Sequence, residues 1–529
     1  MTYLTRSLVL GCSLLALSAC GPDEIASPGT GGNIIINPPA TPAPSPAPSP
    51  APTPPATVTP AGGCPTIADP QGLADEGTIA GPTGTYRVCT LPSRFNASSR
   101  LPYFAGVLYR MNGRVDVGTD GGPVPDASDG SSDTNVVLTI DPGVIVYSSG
   151  AAFLNVNRGN RINAVGTAER PIIFTSRDNV VGFNTESSSG QWGGVVLSGR
   201  APVTDCAASG AVPGSAQCER QVEGSASPAF FGGATVNDNS GRMSYVQIRY
   251  SGFVLGSNSE LQSLTTGGTG TGTQLDHIMS YNSSDDGAEF FGGYVNMKYF
   301  IVVGAEDDSI DSDTGVKANL QYVIVVHNTN THDTIIEADS DDLRDSTPRQ
   351  NTRISNFVFV QGAAAADGQA AIRLRGGTDY ALLNGVLVSP QDECIRVQHS
   401  ETIRNSDSGL DDVGPPIFQS VVMQCGGAAQ FIGSNNVTAD NVRTIFNAGT
   451  NNNASFTPTL TNLFVNGANE SAVSAFNAST LSSFFDATTY IGAVRDASDT
   501  WYARWTCNSA TANFGTGNTG ACTSLPVYQ

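Results

Sequence analysis

The sequence predicts an all-β chain, a right-handed parallel β-helix standing behind a targeting segment and a proline-rich linker. Three observations predict it. A six-residue pattern recurs: apolar, any residue, Tyr/Asn/His/Gln, then a largely apolar trio. It begins at Met243, Leu275, Met297, Leu320, Ile354, Leu382, Ile417 and Leu460, and the closest copies are 22 and 23 residues apart. A short minimum step with insertions of variable length is a solenoid signature, because each copy is too short to bury its own apolar face and stacking must do it. The runs are rich in Val, Ile, Phe and Tyr and bounded by Gly, Asp, Asn and Ser, which reads as parallel strand rather than helix. Composition agrees: 59 glycines in 529 residues leave little room for long helices.

In chain order, Arg6 precedes the apolar run LVLGCSLLAL, and LSAC follows at 17–20. This resembles the bacterial lipoprotein signal, with 1–19 removed and Cys20 carrying the lipid (palmitate among its acyl groups). The apolar run is too short to span a bilayer comfortably. Gly21, not Asp, follows Cys20, so the expected address is the outer membrane, with the protein lipid-anchored at the cell surface. Residues 20–63 form a tether. Proline at every second or third position over 38–60 favours extended polyproline II, with a reach of roughly 70 Å at about 3.1 Å per residue.

Residues 64–130 are assigned to an N-terminal cap, 131–470 to the β-helix and 471–529 to a C-terminal cap, since a solenoid end exposes an open sheet edge. VVLTIDPGVIVYSS (136–149) supplies a first strand pair, Pro171 opens a strand, and GQWGGVVLSG (190–199) supplies the next. Insertions at 201–240, 328–353, 399–416 and 426–458 project as loops, where binding often resides. Apart from Cys12 and Cys20, eight cysteines fall as four sequence-local pairs. Connectivity stays open from sequence. Even count and clustering favour Cys64–Cys89, Cys206–Cys218, Cys394–Cys425 and Cys507–Cys522 in an oxidising compartment.

The formal charge of −21 argues against nucleic acid and against an electrostatic grip on anionic lipid. It fits a cationic ligand, divalent ions or simple solubility. The register concentrates that charge. Asp285 and Asp286 lie at the same offsets from Leu275 as Asp307 and Asp308 from Met297, and Asp392-Glu393 repeats them from Leu382. Equal offsets in adjacent coils sit about 4.8 Å apart. Asp285, Asp286, Asp307, Asp308 and Asp311 therefore form a candidate site for calcium or a similar hard cation, with Asp313, Asp333 and Glu337 nearby. No other cofactor is implied. The alternative is turn chemistry, because Asp and Asn stabilise tight bends through their own backbone.

Other features read as structure. Tyr245, His277, Tyr299, Tyr322, Asn356, Asn384 and Asn462 share one offset and form a ladder. FFGG at 230–233 and 290–293 reads as core packing before sugar stacking. Trp501 and Trp505, four apart, would share a helix face in the cap. His327 and His332 without a third ligand are weak for zinc. GxSxG, HExxH, the phosphate-binding GxxxxGK and the dinucleotide fingerprint are all missing. An enzyme on this scaffold, a polysaccharide lyase or glycoside hydrolase, would draw on Asp307 and Asp308 with Arg373 or Arg396, which follow acidic turns at Asp367 and Asp392-Glu393.

GQWGG (190–194), NDNSGRMSYVQIRYSG (237–252), DDGAEFFGG (285–293), EDDSIDSD (306–313), YIGA (490–493) and WYARW (501–505) together are similar to a family of secreted or lipid-anchored bacterial β-helix proteins. The resemblance covers roughly 160–507. It implies the pectin-lyase-like fold and a surface location, and carries over no catalytic residues. Some relatives are encoded beside TonB-dependent outer-membrane transporters, which implies an accessory role in transport. The expectation is a non-catalytic surface lipoprotein that binds a glycan or other ligand. The alternatives are the enzyme above and a structural or adhesive role.

Overall fold

Each repeat becomes a strand that turns a corner at its third residue. In the computed structural model, Tyr245, His277, Tyr299, Tyr322, Asn356, Asn384 and Ser420 all hold φ between 49° and 62°. This left-handed conformation separates two faces of a three-faced coil. In strand Gly241–Arg249, residues before Tyr245 pair with Arg161–Val165, and residues after it pair with Ile172–Ser176. Asn tolerates the left-handed region; Tyr and His do so at a cost, which stacking offsets here. The structure describes residues 57–528 apart from 224, 226, 256–259, 329–331, 341, 363–369 and 428. The signal, Cys20 and most of the proline-rich tether lie outside the described residues, as does Asp367. Among the described residues no helix is long and apolar enough to cross a membrane.

The parallel register is the one the repeat implies. Met243 pairs with Leu275, Leu275 with Met297, Met297 with Leu320, Leu320 with Ile354, and Ile354 with Leu382. Their side chains point inward with Ile278, Phe300, Val323 and Phe357 to build one continuous core. The third face is an eleven-stranded parallel sheet. Its strands around the candidate site are β1 (Leu264–Gly267), β2 (Ala288–Phe291), β3 (Ile310–Asp313), β4 (Ile336–Ala338), β5 (Ile372–Leu374) and β6 (Ile395–Gln398).

Two of the eight copies differ from the sequence reading. Leu382 pairs with Phe418, not Ile417. Phe418 is the buried residue of the two, and Ser420 rather than Gln419 takes the bend. The copy at Leu460 is no strand; Thr461 and Val465 make an antiparallel bridge instead. The coil end is already closed there by the helix Ala439–Asn447, whose Phe446 packs on Phe418 and Phe431 at 5.5 and 5.3 Å. Parallel strand ladders also start before 131, where Gly84–Thr90 meets Val107–Arg110, and the last among the described residues is Phe431–Ser434, before 470, with only isolated parallel bridges beyond it.

The C-terminal segment is not an end cap. It runs back along the outside of the coils as a strap. Asn384 exchanges hydrogen bonds with the Phe476 backbone at 2.9 and 2.7 Å. Gln321 does the same with Asp486, and Asn356 donates to Tyr490. Trp501 meets Tyr299, Trp505 meets His277, Arg249 donates to the Cys522 carbonyl, and Tyr528 reaches the Pro171 carbonyl. Under the strap lies a second apolar cluster in which the outward residues Met279, Ile301, Ile324, Val358 and Val386 meet Phe464, Ile491 and Trp505. Stretch 501–506 is turn, not helix, so the two tryptophans reach the ladder from an irregular backbone. All four sequence-local cysteine pairs are disulfides.

Candidate cation-binding cleft

Two in-register columns build the site. In the turn before the third face, Gln262, Asp286, Asp308, Thr334, Ala370 and Glu393 stand two residues ahead of the paired positions Leu264, Ala288, Ile310, Ile336, Ile372 and Ile395. Asp308 N–H donates to Asp286 Oδ1 at 2.9 Å, and Thr334 N–H donates to Asp308 Oδ1 at 2.8 Å. Each carboxylate thus receives the backbone of the next coil. Asp392-Glu393 shares the register, but Thr334 and Ala370 separate Glu393 from the acidic part of its column. On the face itself Glu289 pairs with Asp311, Asp311 with Glu337, Glu337 with Arg373, and Arg373 with Arg396. Three acids are followed by two bases at one strand spacing each.

A cleft of about 550 Å³ opens over the acidic part. Asp285, Asp286, Glu289, Asp307, Asp308, Asp311 and Glu337 line it, and Glu223, Glu260 and Glu306 extend it. Arg375 is its one cationic lining residue among the described residues. Three carboxylate triads each bring one oxygen per residue within 4.8 Å of the others: Asp285/Asp286/Asp307, Asp286/Glu289/Asp311 and Asp307/Asp308/Asp333. Oxygens that close match the coordination sphere of calcium, which takes six to eight oxygen ligands at about 2.3–2.6 Å.

Asp285, Asp286, Glu289, Asp308 and Asp311 titrate late. Burial, then Asp307 and Glu260, push the Asp285 carboxyl up to about 8. Burial and then like-charged neighbours hold Asp286, Glu289, Asp308 and Asp311 well above the usual carboxylate range. Desolvation and like charge both disfavour the ionised form, and a bound cation reverses both. Glu289 is 7% exposed and makes no hydrogen bond or ion pair among the described residues.

The arginines are already engaged. Arg373 Nη1 lies 2.9 Å from Glu337 Oε2. Arg375 pairs with Glu337 and, at 3.0 Å, with Asp339. Arg373 on β5 and Arg396 on β6 stand two and three strands beyond β3, about 10 and 14 Å along the axis from the coil of Asp307 and Asp308. The acids and arginines named for an enzyme are therefore drawn from coils about 10–14 Å apart along the axis.

Glu223, Glu260, Glu289 and Glu306 were not among the sequence candidates. Glu289 carried a signal: it follows Leu275 by the same fourteen residues by which Asp311 follows Met297. Glu223 and Glu260 had none, since they come from the insertion 201–240 and the loop before β1. That insertion docks on the third face through Val203, Val222 and Phe231 against Val196 and Phe291. Phe231, Phe290 and Phe291 are buried, so the FFGG motifs pack. The His327 and His332 rings pack against each other, tilted, with centroids 4.3 Å apart. Neither belongs to a metal-sized group of three among the described residues.

A family model for the pectate-lyase like beta helix domain matches residues 131–505. No curated protein and no solved structure matches the chain.

Proposed function

The chain belongs to the family of pectate-lyase-like beta helix domains, and from that premise we propose that it is a non-catalytic surface lipoprotein whose acidic cleft holds calcium. Through the ion it binds a glycan or another oxygen-rich ligand. One observation carries the reading: buried carboxyls crowd the cleft while the neighbouring arginines are spent in ion pairs with Glu337 and Asp339. A cation restores electroneutrality and leaves coordination positions for ligand oxygens. A lyase needs a basic group free to take a proton, and Arg373 in its pair with Glu337 is poorly placed for that. Lipidation at Cys20 would anchor the protein in the outer membrane, with the tether holding the domain clear of the bilayer. A TonB-dependent transporter is the partner such an arrangement would serve.

The reading is tested by incubating purified protein with a panel of acidic polysaccharides, with and without millimolar calcium. Calcium-dependent binding without turnover is expected. Turnover abolished by Asp307→Ala or Arg373→Ala, with circular dichroism unchanged, would move the protein to the lyase or hydrolase reading. Cys20→Ala should leave precursor or a soluble species; a variant that still matures and fractionates with the outer membrane would refute the anchor.

A further inference from the structure

The three triads are not independent sites. Asp286 belongs to the first and second, and Asp307 to the first and third. Each ligand set therefore shares a carboxylate with the next. A carboxylate has two oxygens and about four lone-pair positions, enough to serve two cations. The first and second triads span the same two coils and join through Asp286, while the third reaches one coil spacing further, about 4.8 Å, and joins through Asp307.

The second triad shows why one ion is not enough. Glu289 sits on β2 and Asp311 on β3, directly paired across the sheet. Glu289 is more than nine-tenths buried, lines the cleft, and has no hydrogen-bond or ion-pair partner among the described residues. An ion in the first triad touches Asp285, Asp286 and Asp307 and leaves Glu289 uncompensated. A buried carboxylate without a partner ionises only at a cost, so at the second position the charge forms when a cation of its own takes the proton's place. The third triad, with Asp308 and Asp333 as its distinct members, extends the row away from Glu289.

We propose that the cleft binds calcium as a bridged row of up to three ions, joined through Asp286 and Asp307, rather than as a single ion. This rests on the reading that the cleft holds calcium. Because neighbours share a ligand, removal of a bridging carboxylate should empty two positions. Removal of a terminal one should empty a single position.

Calcium alone is the probe. Native mass spectrometry and titration calorimetry on the full chain count ions for wild type, Glu289→Gln, Asp333→Asn and Asp286→Asn. Wild type is expected to bind two or three ions. Glu289→Gln and Asp333→Asn should each lose one, and Asp286→Asn should lose two. Neutralising a carboxyl crowded by like charges removes repulsion, so none of these variants should melt lower than wild type in EDTA; that control separates loss of sites from loss of fold. One ion in wild type, with all variants weakening that same ion, overturns the row and leaves the calcium reading standing. The row also falls if Asp286→Asn loses no more than Glu289→Gln. No calcium bound by wild type refutes the proposed function itself.

Discussion

Two columns run along this β-helix, and both arise from the same repetition. One edge stacks Tyr245, His277, Tyr299 and Tyr322, with ring centroids 4.2–5.0 Å apart, and continues as Asn356 and Asn384. The other stacks Asp286 on Asp308 and Glu289 on Asp311 and Glu337. Stacking aromatic rings is favourable, about 0.5–1.5 kcal/mol per pair beyond burial. Stacking buried carboxylates is unfavourable unless protons or cations neutralise them. Repetition alone therefore marks structure. A repeated column that destabilises the fold without a ligand marks a site.

The largest effect expected from breaking the first column is Trp505→Ala. Trp505 is fully buried, edge-on to Tyr245 and His277. Truncating a buried tryptophan costs about 3–5 kcal/mol. Denaturant melts should show that loss, and limited proteolysis should then cut within 456–528. A loss below about 1 kcal/mol would mean that the strap is held without the ladder.

Next comes the second column. Calcium at a hundredfold excess over its dissociation constant stabilises a single-site protein by about 2.7 kcal/mol. Thermal melts in EDTA and in millimolar calcium should differ by several degrees. Trp505→Ala should keep that shift and Asp286→Asn should lose most of it, since the two columns lie on different edges. Identical melts for wild type would favour turn chemistry for the acids.

The pH dependence separates the columns again. The Asp285 carboxyl, pushed up to about 8 in the folded chain, returns to about 3.9 when unfolded. Between those values the folded state binds the extra proton, so the slope of stability with pH is negative. In EDTA the protein should lose stability as pH rises from about 4 to 8, and calcium should flatten the curve. Rising stability over that window would contradict the buried, cation-free carboxyls.

The smallest expected effect is Tyr299→Asn. It exchanges three ring contacts, with His277, Tyr322 and Trp501, for a residue at ease in the left-handed bend, and other rungs of the same ladder are Asn already. A cost within about 1.5 kcal/mol, with calcium binding intact, is expected by titration calorimetry and denaturant melts. A cost as large as that of Trp505→Ala would show the aromatic rungs to be irreplaceable.

The sequence by itself determined the coil. A period near 22, with Leu275, Met297 and Leu320 at equal positions, leaves one way to bury the apolar trios, and that stacking brings Asp285 and Asp286 beside Asp307 and Asp308. Any column set by constant spacing is legible in this way, because strand pairing converts equal offset into adjacency; Glu289 and Asp311 followed the same rule. Tertiary structure alone decided the rest. Glu223 and Glu260 reach the cleft from insertions that have no register, Arg373 and Arg375 proved to be engaged only once Glu337 and Asp339 stood beside them, and Phe418 rather than Ile417 took the inward position. The strap was decided by contacts between Trp505 and residues more than 200 positions earlier in the chain. Such contacts depend on which outward apolar residues the finished coils leave to be covered, and no local spacing encodes that.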